Sequence, residues 1–205
     1  MKKIGFLLVL VVWSFAAMAQ DVILTMSGRE IQCAITDDSG FEIVYNYENA
    51  RGKTKEGRVH KSEVFSVSQG SQPEQIYYSQ DTLLGDWMNE AEMRIYLAGQ
   101  VDARAHYDVR NTFALGLGGA RFVSYIAGGG LILSIAFPVL YTVYQLIPYI
   151  KIREETISNP IHRYNEIYAL GYERVARTKQ VLNALAGSAI GMLGGIVYYL
   201  LGPFD

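Results

Sequence analysis

Two apolar stretches without charge dominate the pattern of hydrophobic and polar positions along this chain: Phe122 to Tyr144 and Val181 to Leu201. Each has about 20 residues, enough at 1.5 Å per residue to cross a bilayer as a helix. Small residues recur four apart at or near both stretches, as Gly116, Ala120, Ser124 and Gly128 and as Gly187, Gly191 and Gly195. Residues at that spacing share one helical face, and their lack of bulk lets a second helix approach closely. The pattern predicts two transmembrane helices packed through these faces as the arms of a hairpin. Pro138 should kink the first span, and Gly128-Gly129-Gly130 lowers its helix stability. Arg121 reads as the membrane boundary, with its head group reaching the lipid surface.

Upstream, the period changes to two. Val22, Leu24 and Met26 alternate with other residues, then Ile31, Cys33 and Ile35, then Phe41, Ile43, Tyr45 and Tyr47. Ser27-Gly28 and Asp37-Asp38-Ser39-Gly40 supply turns between them. Val59, then Val64, Phe65 and Val67, predict two more strands, and Ile76-Tyr77-Tyr78 a final edge strand. The expected class is an α+β membrane protein: a small all-β barrel or roll, a helical connector, then two transmembrane helices. The strand spacing resembles SH3-like or Sm-like small barrels, with His60-Lys61-Ser62-Glu63 as the short turn before the last strand.

The connector has its own start signal. Asn89 and Glu92 form a capping box, with Met88 and Met93 placed as a hydrophobic staple. Asp102 and His106 are four apart and share a face. That spacing suits an i,i+4 hydrogen bond or ion pair, or two ligands of a metal site with no third nearby. Further on, Asn159-Pro160 predicts a second helix start, with the helix running unbroken through Leu201. Tyr164, Tyr168 and Tyr172 share a face of it, open to the bilayer surface, to internal packing or to a partner.

Lys2 and Lys3, the apolar run Ile4 to Ala16 and Ala17-Met18-Ala19 read as a secretory leader. Lys151, Arg153, Arg174, Arg177 and Lys179 flank the loop between the two spans, which the positive-inside rule assigns to the cytoplasm. The expected layout is a signal peptide over 1–19, an exported β domain over 20–81 and a linker and helical connector over 82–110. A first transmembrane region follows over 111–149, a cytoplasmic loop and helix over 150–180, and a second transmembrane helix over 181–202. The expected address is a bacterial inner membrane with the N-terminal domain periplasmic.

Composition narrows the chemistry. Charged residues make up 19% of the 205 positions and the formal net charge is −2, which gives no general attraction to nucleic acid. The one cysteine, Cys33, excludes an internal disulfide and a paired-cysteine zinc site, and its alternating neighbours place it in a β core. No nucleophile elbow, phosphate loop, paired-carboxylate motif or metal signature is present. Gly116-Leu117-Gly118-Gly119 lacks the lysine of a nucleotide loop. No cofactor, catalytic residue or metal ligand is expected. Candidate partner-binding residues are the loop cations Arg51, Lys53 and Lys55, with Tyr164, Tyr168 and Tyr172.

Gly99-Gln100-Val101-Asp102-Ala103 with Tyr107 before the first span, and Asn159-Pro160 with Gly171-Tyr172 before the second, resemble Gram-negative envelope proteins with a leader, a small β domain and a glycine-rich helical hairpin. The resemblance implies no catalytic activity. It implies a membrane-anchored envelope protein whose exported β domain is an interaction module. The expected partners are the lipid bilayer, an envelope protein or a second copy of the chain, and not nucleic acid. The chain is also similar to small mechanosensitive channels, with the order of β domain and helices reversed. An oligomeric pore is therefore the alternative, and a membrane-bound enzyme a third.

Overall fold

The computed structural model describes residues 20–201 apart from Ser71, Leu84, Ala127, Gly129, Gly130 and Pro148. The expected leader, 1–19, lies outside the described residues. The chain divides into two compact units, Met1–Met93 and Arg94–Asp205.

The first unit is a six-stranded antiparallel sheet: β1 (Asp21–Thr25), β2 (Glu30–Asp37), β3 (Glu42–Glu48), β4 (Thr54–His60), β5 (Val64–Ser68) and β6 (Gln75–Ile76). The strand order is β4-β3-β2-β1-β5-β6. The expected barrel or roll is corrected to an open sheet, because β4 and β6 stand at opposite edges. The predicted turn before β5 forms as a short 3-10 helix, Lys61–Glu63, where the His60 side chain accepts from the Ser62 amide. Ile23, Cys33, Ile43, Tyr45, Val59 and Val67 are among the residues of the core.

β1 shows how strand parity is set. The expected alternating set Val22, Leu24 and Met26 is corrected to the opposite parity: Val22, Ile23 and Leu24 are all apolar, so alternation within the strand does not by itself choose a face. Ile23 stands opposite Ile31 on β2 and Val67 on β5, and it is Ile23 and Thr25 that are buried. A one-residue shift exchanges the two faces of a strand, and here the neighbours decide. Cys33 is in the core as expected, and burial, then Asp21, pushes its thiol up to about 11. It therefore stays a protonated, inert packing group near neutral pH.

The second unit is helical. Helix α1 (Glu90–His106) starts at the end of the first unit, followed by α2 (Arg110–Ile126), α3 (Leu131–Tyr144) and α4 (Glu166–Leu201). The capping box at the start of α1 forms: Asn89 Oδ1 accepts from the Glu92 amide at 2.9 Å, and Glu92 Oε2 accepts from the Asn89 amide at 2.9 Å. Among the described residues, α4 is the one helix long and apolar enough to cross a membrane. Its 36 residues extend about 54 Å at 1.5 Å per residue.

Two helix boundaries differ from expectation. Phe122 to Tyr144 is not one helix. α2 ends at Ile126, Gly128 adopts a left-handed φ of 59°, and α3 begins at Leu131. Glycine accepts that backbone without a Cβ penalty, so the chain breaks there and Pro138 is accommodated inside α3. Asn159 does cap a turn with Pro160 at its first position, but that turn is a 3-10 helix ending at His162. A second cap then sets the start of α4: Asn165 Oδ1 accepts from the amides of Ile167 at 2.9 Å and Tyr168 at 3.2 Å.

Candidate functional site

The small-residue positions of α2 and α4 form one seam. Gly116, Ala120 and Ser124 are buried on α2, facing the buried positions Ala184, Gly187, Ser188, Gly191 and Gly195 of α4. A Cβ on Gly187 would strike the Phe113 carbonyl oxygen, and one on Gly191 that of Leu117. On Gly195 it would lie 2.6 Å from the Arg121 oxygen and 2.7 Å from Ser124 Cβ. Ser124 Oγ is buried without a hydrogen-bond partner among the described residues, so small size is what Ser124 brings to the seam. Gly128, expected as the fourth member of its stripe, sits instead in the turn after α2, within 3.6 Å of the Tyr199 hydroxyl as measured from an added Cβ.

The seam extends beyond the predicted stripes. A Cβ on Gly99 would strike the Tyr168 carbonyl oxygen, and one on Gly171 that of Tyr96. Sequence reading placed Gly99 and Gly171 only in the resemblance and missed their contact. Gly99 has only Ala103 at the four-residue spacing that exposed the other glycines, and Gly171 has no small residue there.

The direction of the seam is its most informative property. Gly171 faces Tyr96, Gly187 faces Phe113, Gly191 faces Leu117 and Gly195 faces Arg121, a constant offset of 74 or 75 positions. Partner positions that advance together mean parallel helices. The stripes are therefore not the two arms of a hairpin. α3 makes the return instead. An added Cβ on Gly116 would meet the Tyr141 ring at 3.1 Å, one on Gly119 the Phe137 ring at 2.5 Å, and the Tyr141 hydroxyl donates to Thr112 O at 2.9 Å. Here one number rises as the other falls, so α3 is antiparallel to α2.

Helix α4 passes the break between α1 and α2 without interruption, and Lys179 sits at that break. Its Nζ donates to the carbonyl oxygens of Arg104 at 2.8 Å, Tyr107 at 3.1 Å and Ala103 at 3.3 Å. A cation on the free carbonyls of a helix C-terminus satisfies acceptors and opposes the helix dipole. Lys179→Met keeps most of the stem and removes the donors. It should cost about 1–2 kcal/mol, from modest net hydrogen bonds plus the dipole contribution. Melting of the purified protein in detergent checks this, and an unchanged midpoint would remove the capping role.

Asp102 closes the other polar contact of the unit. It is buried, at 5% exposure. Its Oδ1 accepts from Ser158 Oγ, and its Oδ2 from the Ser158 amide at 2.9 Å and the Tyr168 hydroxyl at 2.6 Å. Tyr172 donates to Thr156 Oγ1 at 3.0 Å. Ile150, Ile152 and Ile157 pack into the same core as Ala103, Tyr168 and Tyr172. The segment after α3 is thereby tied to α1 and α4. Asp102 has both oxygens engaged in this set, which replaces the expected pairing with His106.

The candidate partner-binding residues divide. Arg51, Lys53 and Lys55 are exposed at the β3–β4 turn, which is built by Asn49 Oδ1 accepting from the Arg51 and Lys53 amides. Tyr164 is 84% exposed under the Arg163 guanidinium, whereas Tyr168 and Tyr172 are 1% and 0% exposed. The last two are internal and offer no free surface. Three residues of one predicted face separate because α4 begins only at Glu166. A second surface feature lies in the sheet unit, where an open groove of about 500 Å³ runs beside exposed Phe41, lined also by Asp37, Glu42 and His60. No family model, curated protein or solved structure matches this chain.

Proposed function

We propose that this chain is a membrane-anchored cell-envelope protein, with its helical unit embedded in lipid and its N-terminal sheet carried as an interaction module. The observation that carries this reading is the distribution of side chains across α2, α3 and residues 181–201 of α4. Small and polar residues, among them Ser124, Ser134 and Ser188, are inside. Large apolar residues such as Ile132, Leu133, Leu140, Ile190, Leu193 and Leu200 are outside. In water that arrangement exposes far more contiguous apolar surface than a soluble monomer carries. In lipid it is favourable, because close backbone packing drives association and apolar side chains meet acyl chains at no cost.

Self-association through the glycine faces is the weaker form of this reading, since Gly187, Gly191 and Gly195 already face α2 of the same chain. In the sheet unit, the β3–β4 turn offers Arg51, Lys53 and Lys55 to an acidic envelope partner. Fractionation tests the anchor: the protein should stay with membranes through alkaline carbonate and leave them in mild detergent. Recovery in the carbonate supernatant would remove the membrane reading.

A further inference from the structure

Resting on that membrane reading, we propose that the chain crosses the bilayer three times, with the outer face of the α2–α3 pair covered by lipid acyl chains. Residues 150–165 then lie on the same side as the N-terminal unit. The first support is direction. α2 and α4 are parallel and share one depth, with Phe113 beside Gly187 and Arg121 beside Gly195. If the charge-free part of α4 crosses, α2 crosses beside it in the same sense. α3, antiparallel to α2, must bring the chain back.

The second support is the depth of the polar and aromatic groups. At one end, the Arg121 guanidinium lies over the Tyr198 ring, 5.7 Å from its centroid, and Tyr198 packs on Tyr125 at 5.4 Å. At the other end, Lys179 binds the end of α1, and Gln180 Nε2 donates to Gln145 Oε1 at 2.7 Å. From Lys179 to Tyr198 the helix rises about 28 Å, close to the thickness of a bilayer's hydrocarbon core of about 30 Å. Aromatic and cationic groups at the two edges of an apolar band are the usual interfacial anchors of a spanning unit.

The third support is the face itself. Leu115 and Phe122 on α2, with Ile132, Leu133, Val139 and Leu140 on α3, are exposed. They continue the apolar surface of α4 at the same depth. Acyl chains are the occupant that suits a surface this broad, which carries no charge between Arg110 and Arg121 on α2 or anywhere on α3, those two exposed arginines marking its edges on α2.

The test uses single cysteines in a Cys33→Ala background, with a membrane-impermeant maleimide applied to sealed spheroplasts and again after permeabilisation. The probes are Lys53→Cys, Glu155→Cys, Ala127→Cys between α2 and α3 in the sequence, and a cysteine appended after Asp205. Three crossings predict that Lys53→Cys and Glu155→Cys behave alike, and that Ala127→Cys and the appended cysteine behave alike and opposite to the first pair. Lys53→Cys and Glu155→Cys on opposite sides would overturn the proposal in favour of two crossings. Ala127→Cys unlabelled under both conditions would overturn it in favour of a hairpin that turns inside the membrane. Either result leaves carbonate resistance, and so the membrane reading, intact.

Discussion

Gly191→Leu is expected to separate α2 from α4 and to lower the stability of the helical unit by about 3 kcal/mol or more, the upper range for overpacking a tight contact. A Cβ at position 191 would meet the backbone carbonyl of Leu117. Backbone is the least yielding neighbour, so relief requires the helices to move apart along the whole seam. Leucine is otherwise a better helix former than glycine by close to 1 kcal/mol, which makes the sign of the result informative. Gly194→Leu is the control. Position 194 lies on the same helix, is exposed, and an added Cβ there meets nothing within 4 Å. It should melt at or slightly above the wild-type midpoint in detergent, while Gly191→Leu melts well below it. Equal midpoints for the two variants would remove the seam.

The seam was legible in the sequence because glycines four apart leave a periodic mark. Its direction was not, because a stripe of small residues reads the same for parallel and antiparallel neighbours. The hairpin expectation came from joining two apolar stretches by one loop. That step failed at Gly128, whose left-handed backbone divides the first stretch and adds a return helix. The consequence reaches the topology. The leader and the positive-inside rule agree only when the cationic loop lies across the membrane from the N-terminal domain. With three crossings, Lys151, Arg153, Arg174 and Arg177 share the side of that domain, and the two signals oppose each other. The maleimide experiment therefore also decides which one sets the orientation. In the sheet unit, turns and strand count were readable, but closure was not, because it depends on whether the edge strands meet. The alternation Val22, Leu24 and Met26 marked the wrong face of β1, because three consecutive apolar residues carry no parity and the neighbours Ile31 and Val67 set Ile23 inward.

Asp102→Ala is expected to release the segment after α3. The wild-type carboxyl group accepts from one amide and two hydroxyls belonging to Ser158 and Tyr168. Truncation leaves the Tyr168 hydroxyl in a site built from Ala103, Ile150, Ile157 and Tyr172, where water does not readily replace the lost acceptor, whereas the donors of exposed Ser158 can turn to water. A buried donor left without a partner costs about 1–3 kcal/mol, so the variant should lose about 1–3 kcal/mol. Asp102→Asn keeps one acceptor oxygen and should lose less, because an amide oxygen in the Oδ2 position still accepts from the Ser158 amide and the Tyr168 hydroxyl while the Ser158 hydroxyl turns to accept from the new NH2. The two variants separate hydrogen bonding from simple packing, since asparagine preserves the volume. The readout is local as well as global: proteolysis at Lys151, Arg153 and Arg163 should accelerate in Asp102→Ala before the seam melts, and only slightly in Asp102→Asn. The reason is that the seam is held by backbone contact between Gly187, Gly191 and Gly195 and α2, none of which Asp102 touches. Acceleration of the same size in both variants would mean that the carboxyl acts by charge, and no acceleration in either would mean that the isoleucines alone hold the segment down.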